Sequence, residues 1–373
     1  MKFKLKKSEH LSKFSLMSKL EKMRIFSNEN KTSGNDTLIF YVKDNLLNVY
    51  LNNGISAFNF CLNFPIENEK SFAVDANLFY NAFSNFPTDD VQFALIDTEN
   101  SLIFGNKKTR VALRTSEVSN VENLLFNSFD FSTETKFEKL DFTNFTEALK
   151  LTSFSCSPDI DQYPYTSILF FLNGNKVNCT SSDKHRISVY GDKYNGEISH
   201  LLPKLSADLM LNFINKIDDF CFAIYKNKLL LKWENNIFST SLENNNYQKI
   251  FEEYNVCFDD SKFVLSILID KQQILQSIKY IGNISSSHEI AMLFEYDKLV
   301  LSGKSEGKGT VVDQIQLDKE YENLEVSYSA NHLTKVIEML PEDQIELAIH
   351  QLNDYYLLLV RTQWYSHIVF PKS

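Results

Sequence analysis

Glycine and proline are scarce in this chain of 373 residues, at 10 and 7 respectively. That scarcity excludes collagen-like and low-complexity disordered classes. Cysteine is limited to Cys61, Cys156, Cys179, Cys221 and Cys257, an odd number, widely spaced and with no CxxC pair. A disulfide framework and a zinc site are thereby set aside, and free thiols in a reducing cytoplasm are expected. No apolar run approaches the ~20 residues that span a bilayer, so no membrane partner is expected. The first residues, MKFKLKKSEHLSKF, are basic but lack the apolar stretch of a secretory leader.

Positive charge is also short. Lys and Arg number 38 against 48 Asp and Glu, a net −10 that taken alone argues against a nucleic-acid partner. Catalytic signatures are missing as well. There is no GxSxG elbow and no GxGxxG fingerprint. SGKS at 302–305 resembles the end of a phosphate loop, but Lys298 stands where that loop needs glycine. His288-Glu289 opens an HExxH pattern that Met292 breaks. The seven histidines are dispersed. No catalytic residue, no metal site and no cofactor is expected.

What is present is a repeat. VQFALI (91–96), FCFAIY (220–225) and IELAIH (345–350) each follow an amphipathic helix, at intervals of roughly a third of the chain. Phe86-Pro87-Thr88-Asp89-Asp90 and Leu340-Pro341-Glu342-Asp343-Gln344 precede the first and third copies alike. Around them the same order recurs. In the first copy a short strand (2–6) precedes a helix carrying Leu11, Phe14, Met17 and Leu20 on one face. A hairpin turning at Lys43-Asp44-Asn45 follows, then a further strand, SAFNF. Asp75 is placed to cap a second helix whose stripe is Leu78, Phe79, Ala82, Phe83 and Phe86. The second copy starts with a strand over 137–142 and a helix over 145–156, and its second helix covers 206–217. Polar joints fall near 116–136 and 251–262. The expected fold is α+β, three repeated domains (1–125, 126–257, 258–373), each with two helices on antiparallel sheet.

The six expected helices (9–24, 75–86, 143–156, 204–217, 271–284 and 329–340) sum to about +4, leaving about −14 elsewhere. If they share one side, that side can face phosphates without reading sequence. One polar cluster stands apart: Ser182-Asp183-Lys184-His185-Arg186-Ile187, which neither sister repeat keeps.

This order of elements, the three-domain length and the 182–187 segment resemble the bacterial DNA polymerase III beta subunit, the sliding clamp. Ser182 to Ile187 matches that family's Thr-Asp-Gly-His-Arg-Leu type turn. Phe370-Pro371 matches its Met-Pro tail, and Tyr247-Gln248-Lys249-Ile250 its Tyr-Arg-Arg-Val type segment. The resemblance covers essentially the whole chain. It implies a homodimer closed head to tail into a ring of DNA-clamp domains, with the helices lining a bore around double-stranded DNA. Twelve helices roughly 8–10 Å apart would make a circle wide enough for a duplex. The implied role is a non-enzymatic, cytoplasmic processivity factor, loaded by a clamp loader ATPase. Its implied partners are DNA polymerase III alpha or an equivalent polymerase, and repair proteins carrying clamp-binding peptides.

Carried over by position, the peptide pocket would use Tyr165, Ser182, His185, Arg186, Ile187, Lys249, Ile250, Ile368, Val369, Phe370 and Pro371. DNA contacts would fall on Arg24, Tyr163 and Lys204, with Lys13, Lys19, Lys150, Lys216, Lys271 and Lys279 behind them. The chain departs from the pattern at Lys184, usually Gly, at Gln248, usually Arg, and in its Phe-Pro-Lys-Ser end. Two other readings stand beside this one: an off-DNA peptide-binding adaptor of the same fold, and an enzyme with a site around Asp183 and His185.

Overall fold

The computed structural model describes residues 1–22, 37–66, 70–129, 135–139, 142–173, 176–192, 199–214, 217, 219–243 and 248–371. One order of elements occurs three times. The first stretch runs β1 (Lys2–Lys6), α1 (Lys7–Lys22), β2 (Thr37–Lys43), β3 (Leu46–Asn52), β4 (Ser56–Pro65), β5 (Phe72–Asp75), α2 (Ala76–Ser84), β6 (Asp90–Ile96), β7 (Ser101–Gly105) and β8 (Arg110–Arg114). A connector of β9 (Ser116–Glu117) and α3 (Val121–Phe129) follows. The second stretch runs β10 (Glu138–Lys139), α4 (Phe142–Ser153), β11 (Ser167–Asn173), β12 (Lys176–Ser182), β13 (Arg186–Tyr190), β14 (His200–Pro203), α5 (Lys204–Leu211), β15 (Cys221–Tyr225), β16 (Lys228–Trp233) and β17 (Asn236–Ser241).

The second connector is α6 (Gln248–Glu253) and a 3-10 turn, Tyr254–Phe258. The third stretch is β18 (Phe263–Asp270), α7 (Lys271–Ile284), β19 (Glu289–Ser305), β20 (Gly309–Ser329), α8 (Ala330–Met339), β21 (Gln344–Leu352), β22 (Tyr355–Arg361) and β23 (Tyr365–Val369). Here the four middle strands appear as two long ones, paired along their length with a register shift at Tyr296.

The chain packs as two compact units that do not coincide with the repeats. One holds Met1–Phe142 with Leu205–Glu243, the other Thr143–Lys204 with Asn244–Ser373. Sheet pairing accounts for this. In the first unit a nine-stranded sheet runs β10-β15-β16-β17-β4-β3-β2-β5-β9, beside a four-stranded one, β1-β6-β7-β8. In the second, an eight-stranded sheet runs β14-β11-β12-β13-β23-β22-β21-β18, beside β19-β20. Each large sheet has the same seam, where the fourth strand of one repeat pairs with the last strand of the next. Ile237 lies opposite Asn59 and Thr240 opposite Ser56. Arg186 lies opposite Val369 and Tyr190 opposite Tyr365.

Local sequence explains the elements on either side. Lys2–Lys6 alternates charge with apolar residues, so Phe3 and Leu5 turn inward and Phe3 stacks on Phe93 at 4.7 Å. Asp44 and Asn45 take φ of 52° and 60° at the β2–β3 hairpin turn, a conformation these two side chains tolerate. Asp75 caps α2 by accepting from the Leu78 amide at 2.7 Å, worth ~1 kcal/mol. On α1, Phe14, Met17 and Leu20 are buried, and Phe14 meets Phe79 and Phe83 of α2 at 4.9 and 5.2 Å. In the second unit α7 buries Ile274, Ile278 and Ile281. Gly282 lets α8 come close, since a Cβ there would lie 2.9 Å from the Ala330 Cβ.

Three expectations are corrected. Leu78 is 59% exposed rather than part of the α2 stripe, because Phe79 and Phe83 already fill the interior face. Among the described residues of the strand expected over 137–142, Glu138–Lys139 pairs, and Phe142 opens α4 instead of ending the strand. The joint expected to be polar linker contains α3. Val121, Leu125 and Phe129 fall four apart and cover Ile39, Tyr41 and Ile237 on the sheet.

Candidate functional site

The 182–187 cluster is a turn at the seam of the second unit. Asp183 N bonds Arg186 O at 3.4 Å, and Lys184 stands at φ 75°. Glycine adopts this left-handed conformation without the Cβ clash that a lysine meets. Side-chain oxygens hold the turn: Ser182 Oγ accepts from Lys184 N at 3.1 Å and Asp183 Oδ1 from His185 N at 3.0 Å. Arg186 is only 7% exposed, and its Nε donates to Asp183 Oδ2 at 2.8 Å. Its guanidinium also sits 5.3 Å from the Phe154 ring. The ladder then continues past β23, since Phe370 N bonds His185 O at 3.0 Å.

Tail and turn are therefore joined by backbone. Ile187 lies opposite Ile368, and both are fully buried. With Val189, Ala348, Leu357, Leu359, Cys257 and Phe258 they form one apolar cluster, flanked by Tyr254, Phe263, Leu352 and Phe370. Burial pushes the Tyr254 phenol up and the Cys257 thiol up to about 11, so both are neutral apolar-surface groups at neutral pH.

Of the residues expected in a pocket, Ser182, Arg186, Ile187, Ile368 and Val369 are buried. They lie in the core beneath the turn and the tail strand. Tyr165, Ile250, Phe370 and Pro371 are half-buried, while His185 and Lys249 are exposed. Lys184, the departure from the family turn, places its Nζ 5.0 Å from the Tyr165 ring centre. Tyr254 and Phe258 were not singled out in sequence. The aromatic spacing in FEEYNVCF is the signal that marked them, read there only as a joint.

The expected DNA contacts are divided between the two units. Lys150 is exposed, and Tyr163 and Lys204 are half-buried. Lys19 is exposed and donates to Asn212 at 2.6 Å. Lys13 is half-buried, donates to Cys61 O at 2.9 Å, and is shifted down by burial. Lys271 donates to Leu340 O, and Lys279 pairs with Glu338 at 2.5 Å. Arg24 and Lys216 lie outside the described residues. A cavity of about 840 Å³ lies in the first unit beneath α3, between Tyr41, Leu125 and Phe129, and none of the candidate residues lines it. Among the described residues no group of three His, Cys, Asp or Glu is arranged to hold a metal, and no helix is long and apolar enough to cross a membrane.

Residues 261–369 match the family described as DNA polymerase III beta subunit, C-terminal domain. No curated protein matches the chain. Solved structures do, over its whole length. The DNA polymerase sliding clamp of Bacillus subtilis superposes with a TM-score of 0.82 at 16% identity, covering 100% of this chain and 99% of that one. The DNA polymerase III beta subunit of Thermotoga maritima gives 0.79 at 16%, with coverage of 100% and 99%. That of Borrelia burgdorferi, solved in complex with a natural product, gives 0.81 at 14%, with coverage of 100% and 99%. The chain thus has the sliding-clamp fold throughout, and its last third matches the beta subunit family in sequence.

Proposed function

We propose that this chain is a DNA sliding clamp, given the sliding-clamp fold over its whole length and the beta-subunit family match at 261–369. In this reading it holds a replicative polymerase on duplex DNA. Three repeats, 1–125, 126–257 and 258–373, make half of a ring.

One observation carries it. The seam between a fourth strand and the last strand of the next repeat is used twice within the chain, at β4–β17 and β13–β23. One such partner is left over at each end: β8 is the outer strand of its sheet, and β19-β20 stand as a pair. A second copy placed head to tail would supply both missing partners. Arg110 and Arg114 on β8 are exposed, and the first half of β20 carries Asp313 and Asp318. Edges that stay uncovered invite unwanted pairing, so a closed ring also removes a liability.

Encirclement needs little affinity. Lysines that contact phosphate weakly and without reading bases suit a protein that slides. A groove built over the half-buried Tyr254 and Phe370, with Ile187 and Ile368 buried beneath, would take short peptides with Leu or Phe anchors from the polymerase, the clamp loader ATPase and repair proteins. The test is retention on nicked circular DNA, with mass in solution measured alongside. A dimer retained on the circle and lost on linearisation supports the reading. A monomer whose mass does not change when its concentration is raised tenfold from about 1 μM rejects it.

One observation favours the second reading, an off-DNA adaptor. Lys13, Lys271 and Lys279 already have partners within the protein. Efficient loading onto DNA by the cognate clamp loader rules the adaptor out.

A further inference from the structure

The tail strand β23 has two faces. Ile368 and Phe370 face the apolar cluster beneath the proposed groove, while Tyr365 and His367 alternate to the opposite side. His367 is fully buried there. Its Nδ1 lies 2.8 Å from Ser188 Oγ and 3.2 Å from Tyr365 OH, and Ser188 Oγ also meets Ser155 Oγ at 2.7 Å. The imidazole stacks on Phe154 at 5.4 Å, the same ring that receives the Arg186 guanidinium. Nε2 of His367 and Nη1 of Arg186 have no hydrogen-bond partner among the described residues.

We propose that His367 is a positioning residue for the peptide groove, holding the tail strand and, through Phe154, Arg186 in place only while it is neutral. Mild acid then releases the tail wall, and a bound peptide with it. This rests on the docking role given to the groove above.

The charges around the ring decide the sign. Arg186 on β13, with His332 on α8, acts on His367, and both disfavour its protonation. Lys335 and His185 lie near His332 and disfavour its protonation, while Asp183 favours it. The carboxylate at this end is Asp183, whose two oxygens already accept from Arg186 Nε and His185 N. Glu147 accepts from Tyr190 OH at 3.2 Å. On β22, Val360 is the residue opposite His367 and brings no charge. Burial holds His367 well below the usual imidazole range, so the closed strand excludes the proton.

An opened strand exposes His367 to water, where it titrates near ~6.5. Protons then draw the equilibrium toward opening, by about tenfold at pH 5.5 relative to pH 7.5. A buried histidine that merely filled space would also couple strand opening to pH, but it would leave the rate of peptide release unchanged between these pH values.

The experiment uses the full chain and the variant His367→Gln, which keeps a hydrogen-bonding side chain and cannot titrate in this range. Hydrogen exchange of the β23 amides, corrected for intrinsic rates and compared with β12, is measured at pH 7.5 and 5.5. The wild type is expected to lose about tenfold of tail protection and the variant less than about threefold. A second arm follows release of a fluorescein-labelled hexapeptide whose apolar side chains are leucine and phenylalanine. Its dissociation rate should rise about tenfold at pH 5.5 in the wild type only. Equal pH responses of the tail in both proteins, or none in the wild type, overturn the proposal. So does a tail that opens while peptide release stays constant. A peptide that fails to bind at pH 7.5 rejects the docking role, and the exchange arm still decides what His367 does.

Discussion

Arg186 and Asp183 form an ion pair at 2.8 Å with side chains only 8% and 12% exposed, inside a turn whose polar cluster the sister repeats do not keep. Removing the carboxylate leaves a guanidinium that is buried and unmatched. Asp183→Asn is expected to cost about 3 kcal/mol. Urea unfolding monitored by circular dichroism measures it. A cost under about 0.5 kcal/mol would mean that the arginine finds water instead.

Lys184 occupies a left-handed backbone position at φ 75°. Lys184→Gly relieves that strain but adds freedom to the unfolded chain and loses the cation beside Tyr165. The net expectation is a gain of about 0.5 kcal/mol, read as a higher urea midpoint.

His350 is fully buried on β21, and neither ring nitrogen has a hydrogen-bond partner among the described residues. Burial shifts its basicity down. The unfolded chain therefore takes up more protons than the folded one below about pH 6.5, and this group's contribution falls as pH drops through that value. His350→Phe is expected to raise stability by about 1 kcal/mol at pH 7. The gain should grow toward pH 5, as followed by melting temperature against pH.

Arg110 and Arg114 are exposed on β8, the outer strand of its sheet. Arg110→Glu combined with Arg114→Glu sets acid against the Asp313 and Asp318 side of a second copy. Light scattering should report a dimer for the wild type and a predominantly monomeric double variant, with dimerisation weakened by at least about tenfold. An unchanged mass places the contact elsewhere.

Glu338 neutralises Lys279 across α7 and α8, each about half exposed. An exposed pair of this kind contributes little to stability. Glu338→Gln should leave the urea midpoint within about 0.5 kcal/mol yet raise duplex affinity a few-fold at low salt. Fluorescence anisotropy against salt concentration should show the slope steepening by about one ion. No change in affinity would remove Lys279 from the DNA face.

Much of this protein was legible in one dimension. The triplicate phrase around VQFALI, FCFAIY and IELAIH lies on β6, β15 and β21, the same strand of three repeats. Asp75 caps its helix, Asp44 and Asn45 turn their hairpin, and Phe14, Met17 and Leu20 are buried together. These features depend on neighbours a few residues away, and a period of two or 3.6 in apolar positions records them directly.

The seams carry no such record. Whether β17 pairs with β4, or β23 with β13, depends on backbone hydrogen bonds between strands more than a hundred residues apart, and any strand offers the same amides and carbonyls. Tertiary structure alone therefore divided the chain into units that cross the repeats. It also turned Leu78 outward and sank Ile187 and Ile368 into the core. It gave Lys13 and Lys271 to internal carbonyls and brought His367 against Phe154. Sequence determined the pieces because local forces are written locally. Only packing decided which pieces meet, because burial and pairing are settled between partners that the chain order does not name.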